Sequence, residues 1–236
     1  MKSERLGNAT VAFSKGVMHE HYEDRYAWFP LAKPAVRCQN RGEIFAVFDG
    51  ISSMADGMHS AQHMCEVLMR YYQFPDDNPA TREGIERLLL AGNMEVSGWG
   101  GPAPAGGGCA GSIVWLHTGN LYTFHTGDTV VALIRDGKPL QLTNSHVVNG
   151  AIERYFGLGA SLRMDVAQQR LRNYDRILLM SDDVTDVYDI NQVTVIVREN
   201  DNDIKQAVEE IARRARANGG RDDITVLMVE YEPCTE

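Results

Sequence analysis

Acidic residues stand at the ends of several apolar, strand-forming segments of this chain. They are Asp49 after EIFAVF, Asp128 after LYTFHTG, Asp182 after RILLMS, Asp222 shortly before ITVLMVEY, and the pair Glu23-Asp24 before RYAWF. Carboxylates are rarely buried unless they are paired or bind a cation. Gathered at one edge of a sheet, these acids would repel one another, and bound divalent cations would remove that repulsion. A site with only oxygen ligands is typical of Mg²⁺ or Mn²⁺ rather than zinc.

Each of these acids also has an ordinary structural interpretation. Asp-Gly is a common turn signal, and aspartate is a frequent turn residue at strand ends. Taken alone, Asp49-Gly50 therefore indicates no more than a turn after a strand at 44–48. The hypothesis of a metal site depends on several acids, far apart in the chain, converging on one place.

Composition and charge argue against several classes of function. Of 236 residues, 32 are acidic and 23 basic, which gives a formal net charge of −9. This negative charge argues against a general nucleic-acid binder or a protein that binds anionic membranes. The four cysteines are scattered without a CxxC pattern, so we expect free thiols in a reducing compartment. Because the chain has no apolar run of membrane-spanning length and no secretory signal, we expect a cytoplasmic protein.

Strand patterns outnumber helix patterns along the chain. Strands are predicted at 10–13, 44–48, 111–116, 120–126, 130–135, 176–181 and 224–231, and helices at 59–72, 82–94 and 204–217. Asp136-Gly137 predicts a hairpin turn, and the glycine-rich stretch 98–108 predicts a surface loop. Because strands do not alternate one-for-one with helices, a doubly wound parallel sheet is disfavoured. We expect one domain over residues 1–236, an α+β fold with stacked antiparallel sheets and helices outside them.

Five segments occur in an order that resembles one known family. They are HYED (21–24), FAVFDG (45–50), the hairpin region 109–146, RILLMSDDVTD (176–186) and GGRDDITVLMV (219–229). Together they resemble the metal-dependent protein phosphatases of the PP2C type, across almost the whole chain. The resemblance implies a four-layer α-β-β-α sandwich, in which two antiparallel sheets are flanked by helices and metal ions lie at one edge.

The resemblance also implies roles for the acids. Asp49 would bridge two metal ions, Mn²⁺ or Mg²⁺. Glu23 and the carbonyl group of Gly50 would complete one site, and Asp182 and Asp222 the other. Water between the cations would lose a proton near neutral pH and attack a phosphomonoester. The implied function is hydrolysis of phosphoserine and phosphothreonine in a phosphoprotein, in opposition to a serine/threonine kinase.

Four further residues have implied roles in the same site. Asp24 would hold a metal-bound water molecule, and Asp128 and Asp186 match positions associated with a third, weaker metal ion. His19 stands four residues before Glu23, where family members often have an arginine that binds the substrate phosphate. A histidine is shorter and only partly charged, so we expect a weaker phosphate ligand at this position.

The chain departs from the family pattern at other positions. Ile51 stands where some members have a candidate general-acid histidine, which bacterial-type members commonly lack. Asp183 replaces a glycine, and Asp223 replaces an asparagine. The metal ligand is therefore either Asp222 or its neighbour, and the offset to residues 224–226 favours Asp222.

Two alternatives stand beside a protein phosphatase. One is a catalytically weak relative that acts as a regulatory binding module, which His19 and the added acids Asp183 and Asp223 motivate. The other is a hydrolase of small phosphoesters, because the site chemistry does not itself require a protein substrate. Arg25 lies close to the acids in sequence and is an alternative ligand for the phosphate.

Overall fold

The computed structural model describes residues 1–18, 20–100 and 106–232. None of the helices in these ranges combines the length and apolarity that a membrane span requires. His19 lies outside the described residues, and the predicted loop at 98–108 is described only at its ends.

The described ranges contain thirteen strands and six α-helices. The strands are β1 Lys2–Leu6, β2 Ala9–Ser14, β3 Arg25–Phe29, β4 Glu43–Gly50, β5 Cys109–His117, β6 Asn120–Thr126, β7 Val130–Arg135, β8 Lys138–Gln141, β9 Val147–Val148, β10 Ala151–Ile152, β11 Asp165–Arg170, β12 Arg176–Met180 and β13 Ile224–Glu230. The helices are α1 Pro34–Arg37, α2 Gly57–Gln73, α3 Arg82–Ser97, α4 Asp182–Thr185, α5 Ile190–Glu199 and α6 Ile204–Ala217.

Most strands form two antiparallel sheets. The first has the order β1-β2-β13-β12-β7-β8, and the second has the order β11-β6-β5-β4-β3. In the first sheet β2 pairs with β13, with Ser14 opposite Ile224. The segment that follows Ser14 and the segment that precedes Ile224 therefore lie at the same end of the molecule.

The sheets pack face to face, with helices on their outer faces. In β4 the side chains of Ile44, Ala46 and Phe48 pack in the same cluster as α2 and α3. The alternate residues Phe45 and Val47 pack between the two sheets. The strands β12 and β13 alternate in the same way, with their outer residues packed against α5 and α6. This alternation is the period-two pattern of strands buried on both faces.

The predicted four-layer α-β-β-α sandwich of antiparallel sheets is confirmed. The hairpin turn at Asp136-Gly137 joins β7 to β8, and both residues have the positive φ angles of a type I′ turn. The prediction that the strand stops before Asp49-Gly50 is wrong. Both residues continue β4, with Asp49 opposite Ala110 and Gly50 opposite Cys109.

The helix α5 is an element that the strand and helix patterns do not anticipate. Its sequence, INQVTVIVRE, is rich in β-branched residues, which favour strands over helices. A capping box begins the helix: the carboxylate of Asp189 accepts from the backbone N–H of Gln192, and the Gln192 side chain accepts from the backbone N–H of Asp189. Val193, Ile196 and Val197 are buried against the six-stranded sheet. Tertiary packing and capping therefore outweigh local propensity here.

Candidate metal and catalytic site

Strand register brings three of the acidic chain positions to one end of the six-stranded sheet. Met180, the last residue of β12, pairs with Val130 at the start of β7 and with Val226 near the start of β13. The acids just beyond these paired positions are Asp128, Asp182 and Asp222. They come from segments that are far apart in the chain, and antiparallel pairing alone makes them neighbours.

The second sheet contributes acids at the same end of the sandwich. Arg25 pairs with Phe48, so Asp24 and Asp49 lie next to each other across β3 and β4. Asp49 has the same strand parity as Val47, and its side chain therefore points toward the space between the sheets. Its exposure is intermediate.

Electrostatics show that these acids share one place. Burial is the main cause that raises the pKa of Asp49 well above its ordinary value, and the charges of Asp24, Asp182, Asp128 and Asp222 raise it further. Four separate segments of the chain therefore act on one carboxyl group. Like charges held together in this way favour protonation unless a cation is bound.

Asp182 begins the short helix α4 and interacts directly with Asp49. Burial raises the pKa of Asp182 to about 7, and the charges of Asp128 and Asp186 contribute, whereas a hydrogen bond with Asp49 lowers it. The charge of Asp182 in turn raises the pKa of Asp49, and a divalent cation bound here would offset this repulsion.

Asp24 is almost completely buried, and hydroxyl groups of the other sheet surround it. The hydroxyl group of Thr225 donates to its carboxylate, and Ser181 forms a second hydrogen bond. Burial is the largest cause that raises the pKa of Asp24 well above its ordinary value. The hydroxyl of Tyr22 is also hydrogen-bonded to Thr225. These three polar neighbours are not recognisable from the sequence, because strand parity and sheet packing bring them together.

Glu23 and Gly50 are the chain neighbours of Asp24 and Asp49. The hydroxyl of Ser52 donates to the Glu23 carboxylate at 2.7 Å, which ties it to the loop after β4. A Cβ atom on Gly50 would come within 2.6 Å of the backbone of Gly57, the first residue of α2. Gly50 is therefore required where α2 packs against the end of β4.

Asp128 sits on a turn that a histidine holds in place. Gly127 has φ +97°, and a Cβ atom there would come within 2.3 Å of Ala110. The N–H of Gly127 donates to Nδ1 of His146 at 3.1 Å, and the N–H of His146 donates to the carbonyl of Gly127 at 2.8 Å. His146 also contacts the carboxylate of Asp165 through Nε2 at 3.0 Å. The position of Asp128 is thus set by a histidine that carries no recognisable signal in the sequence.

Asp186 lies at the end of α4, where it is exposed, and Asp222 lies before β13 with intermediate exposure. Burial and the charge of Asp183 raise the pKa of Asp186. The carboxylate of Asp222 accepts from the backbone N–H of Asp223 at 2.7 Å. Asp186 is therefore the more peripheral of the acids in this cluster.

The two aspartates that depart from the family pattern both bind backbone amides. The carboxylate of Asp223 accepts from the N–H groups of Gly16, at 2.7 Å, and of Glu23. The carboxylate of Asp183 accepts from the N–H groups of Arg221 and Asp222 at 3.1 and 3.2 Å. Both side chains thus fix the loops that carry Glu23 and Asp222.

Arg25 is engaged in the loop itself rather than directed toward a ligand. Its Nη1 donates to the carbonyl groups of Tyr22 and Asp24 at 2.6 and 2.7 Å, and its Nε donates to Gln62 at 3.1 Å. These bonds orient the backbone next to Asp24. The alternative that Arg25 binds the substrate phosphate stays a prediction.

The donor chemistry of this edge fits a hard divalent cation. Its side chains offer carboxylate oxygens, and the mutual repulsion of Asp49, Asp182 and their neighbours contributes to their raised pKa values. Within the described ranges, no group of three His, Cys, Asp or Glu side chains is already arranged as a metal site.

A family model described as protein phosphatase 2C matches residues 23–228 of the chain. The chain belongs to the protein phosphatase 2C family. The match begins at Glu23 and extends into β13, so it includes every acid of the cluster. A comparison of the sequence with curated proteins finds no match.

Solved phosphatase structures have the same fold as this protein phosphatase 2C family member. Stp1, a serine/threonine phosphatase from Staphylococcus aureus, is 16% identical with a TM-score of 0.81, over 98% of each chain. PppA, described as a key regulatory component of the T6SS in Pseudomonas aeruginosa, is 18% identical with a TM-score of 0.79, over 98% of this chain and 100% of its own. The catalytic domain of PstP, solved in complex with two manganese ions, is 19% identical with a TM-score of 0.76. The match covers 95% of this chain and 98% of the PstP chain.

Proposed function

We propose that this protein is a metal-dependent serine/threonine protein phosphatase. It hydrolyses phosphoserine and phosphothreonine with water activated between two divalent cations, Mn²⁺ or Mg²⁺. When bound, the cations supply a water molecule of lowered pKa and neutralise charge on the phosphoryl oxygens. The manganese bound by the related fold of PstP supports this choice of metal.

One observation carries the proposal: strand pairing brings acids from four other segments to the end of the sandwich where Asp49 lies, and their charges raise its pKa. Structural acids at strand ends would point apart into solvent, where repulsion is small. A cluster that is unfavourable without a cation is typical of a metal site, since bound cations repay its electrostatic cost.

We assign the residues of the cluster as follows, first for the two main cations. Asp49 would bind both cations, together with Glu23 and the carbonyl of Gly50 for one and with Asp182 and Asp222 for the other. The hydrogen bonds that Ser52 donates to the Glu23 carboxylate, and that the backbone N–H groups of Gly16 and Glu23 donate to Asp223, hold the Glu23 segment in position.

The remaining assigned residues act around the main cations. Asp24, which accepts a hydrogen bond from the hydroxyl of Thr225, would also accept one from a water molecule at the site. Asp128 and Asp186 bind a third, weaker cation. His19 contacts the substrate phosphate.

The proposed substrate is a phosphoprotein, and the proposed partner reaction is that of a serine/threonine kinase. PppA is a regulatory component of a secretion system, which is consistent with a role in signalling. Cys38, Cys65 and Cys109 are free thiols, in keeping with a proposed cytoplasmic location.

The experiment that tests the proposal is hydrolysis of para-nitrophenyl phosphate with and without Mn²⁺. We expect turnover that requires the metal, and Asp49→Asn should lower it at least about a hundredfold, as loss of a central charged group in an active site typically does. Asp76→Asn, which removes an exposed aspartate after α2, is the charge-matched control and should leave turnover unchanged. Full activity of Asp49→Asn would refute the bridging role.

A comparison of phosphopeptides with small phosphoesters tests the substrate class. A higher kcat/KM for phosphoserine or phosphothreonine peptides than for ribose 5-phosphate supports a protein phosphatase. The opposite ranking would favour a small-molecule hydrolase. Binding of phosphopeptides without turnover by the metal-loaded protein would favour a regulatory binding module.

A further inference from the structure

A cavity of about 750 Å³ adjoins the acidic cluster. Asp128, Asp182 and Asp186 form part of its lining, so this adjoining cavity is continuous with the candidate metal site. Its volume is in the range of ligand-binding cavities. When a phosphoprotein places its phosphoryl group at these acids, the residues next to the phosphorylated one lie in or beside the adjoining cavity.

Apolar side chains from two parts of the chain form walls of the adjoining cavity. Val147 and Ile152 come from the paired strands β9 and β10. Tyr188 and Ile190 come from the segment at the start of α5, where both pack against the core between the helices and the six-stranded sheet. The hydroxyl of Tyr188 accepts from Nδ2 of Asn218 at 2.7 Å. This wall is therefore held in place, and it offers an apolar surface to a side chain of the substrate.

The charged side chains that line the adjoining cavity, among the described residues, are all aspartates: Asp128, Asp182, Asp186 and Asp189. Cations bound at the proposed metal sites would offset the charges of the first three. Asp189 is not an assigned metal ligand, so its charge remains available to a substrate. A basic side chain is favoured beside it, and an acidic one is repelled.

The carboxylate of Asp189 is fixed in position although it is exposed. Its Oδ1 accepts from the N–H groups of Asn191 and Gln192 at 2.8 and 2.9 Å, and the Gln192 side chain accepts from the N–H of Asp189 at 2.9 Å. Its Oδ2 accepts no hydrogen bond from the part of the chain that the structure describes. One oxygen of a positioned carboxylate is thus open to a donor on a ligand.

We propose that Asp189 selects phosphoprotein substrates that carry a lysine or arginine close to the phosphorylated residue. The long side chain of that basic residue lies in the adjoining cavity, with its methylene groups against Val147 and Ile190 and its charged group at Asp189. This inference rests on the proposed phosphatase function, because the phosphoryl group has to lie at the acidic cluster. It adds a sequence preference that the cluster itself does not provide.

Binding of phosphopeptide analogues to the Mn²⁺-loaded full chain tests this preference without requiring turnover. In each peptide, phosphonomethylalanine replaces phosphoserine and resists hydrolysis, and one flanking position at a time carries lysine, norleucine or glutamate. Norleucine supplies an aliphatic side chain without the charge. We expect a position at which lysine lowers the Kd about threefold to fivefold relative to norleucine, as an exposed ion pair allows, and at which glutamate binds most weakly. Fluorescence anisotropy measures the Kd values.

Two variants identify the acid that is responsible. Asp189→Asn removes the charge but keeps an acceptor for the cap of α5, so it should abolish the difference between lysine and norleucine. Asp203→Asn is the matched control. Asp203 is also exposed and caps α6 through the N–H groups of Lys205 and Gln206, but it does not line the cavity. It should keep the preference, and the thermal midpoints of both variants check their folding.

The outcomes separate this inference from the proposed function. A lysine preference that Asp189→Asn abolishes and Asp203→Asn retains supports the inference, whether or not phosphoserine peptides are hydrolysed. Equal affinity for lysine and norleucine at every position, or a preference that Asp189→Asn leaves unchanged or that both variants abolish, overturns it. Hydrolysis of para-nitrophenyl phosphate by the same Mn²⁺-loaded protein reports on the proposed function. Absence of this turnover in a protein that shows the preference would refute the phosphatase proposal alone.

Discussion

Asp222 and Asp223 are adjacent and identical in type, yet their surroundings differ. Asp223 is 3% exposed, and its two carboxylate oxygens accept from amides about 200 residues away, in Gly16 and Glu23. Asp222 acts electrostatically on Asp49. Sequence alone cannot separate these roles, because they depend on which N–H groups a distant loop presents. The asparagine of the family pattern has only one acceptor oxygen. Two backbone amides donate to this side chain, which explains why an aspartate stands here.

Replacement of Asp223 tests its role in holding the loop. We expect Asp223→Ala to lower the free energy of unfolding by about 2 kcal/mol or more, since two buried amides lose their acceptors. Asp223→Asn keeps one acceptor, so its free energy of unfolding should lie between those of Asp223→Ala and the unmodified protein. Urea unfolding measures the order, with Asp76→Asn as the exposed control. Equal stability of Asp223→Ala and the unmodified protein would contradict the assignment.

His125 makes the stability of the protein depend on pH. It is buried, its Nδ1 contacts the hydroxyl of Ser112 at 2.9 Å, and its Nε2 contacts the carbonyl of Asn144 at 3.0 Å, so the neutral ring satisfies both partners. Burial, together with the nearby His146, lowers the pKa of His125 to about 4. Protonation therefore favours the unfolded chain, whose histidine has a pKa of about 6.5.

The stability contributed by His125 is fully present above pH 6.5 and is lost as the pH falls toward 4. The total loss is about 3 kcal/mol at 1.36 kcal/mol per pKa unit. Urea unfolding at pH 7.5, 6.5, 5.5 and 4.5 should show a shallower decline in His125→Gln than in His59→Gln, an exposed control. Parallel profiles for the two variants would show that His125 does not titrate in this way.

At the scale of elements, the sequence predicts those whose burial pattern agrees with local propensity. The helix α6, with one apolar face, and the hairpin at Asp136-Gly137 are examples. The same reasoning does not predict the helix α5, because its β-branched run at 193–197 favours a strand. Only its first residues carry a helical signal, in the capping box at Asp189. Whether a short segment packed on a sheet forms a helix therefore depends on its N-terminal cap and on the burial of its side chains against the sheet.

The cap is the feature of α5 that a substitution tests most directly. Asp189→Ala should lower the free energy of unfolding by about 1 kcal/mol, because the N–H groups of Asn191 and Gln192 lose their acceptor. Asp189→Asn retains an acceptor and should remain close to the unmodified protein. Denaturant midpoints compare the three proteins. Equal losses for both variants would point to charge rather than capping.

At the scale of the whole molecule, the order of motifs is enough to predict the sandwich. Predicting which acids meet in the site also requires the register of the strands. The sequence places acids near strand ends, but the convergence of Asp128, Asp182 and Asp222 follows from the pairing of β7, β12 and β13. Pairing partners that lie far apart in a chain cannot be read from local patterns. The roles of Thr225 and Ser181 around Asp24 have the same origin.

The clustered carboxyl groups should make stability depend on divalent cations. In EDTA, we expect Asp49→Asn to be more stable than the unmodified protein, because the substitution removes a charge that its neighbours oppose. Mn²⁺ at a hundred times its Kd should stabilise the unmodified protein by about 2.7 kcal/mol. Thermal unfolding with and without Mn²⁺ measures both effects. An equal rise in the melting temperature of Asp49→Asn would place the ion elsewhere.

The pairing of β2 with β13 also has a consequence for biosynthesis. Residues 9–14 find their central partner only in residues 224–229, so the middle of one sheet stays open until residues 224–229 have left the ribosome. Contacts of such sequence separation slow folding, because a long loop must close before they form. Glu23 and Asp24 acquire their supports from Asp223 and Thr225, which are synthesised about 200 residues later. A nascent chain is therefore unable to assemble the acidic cluster prematurely.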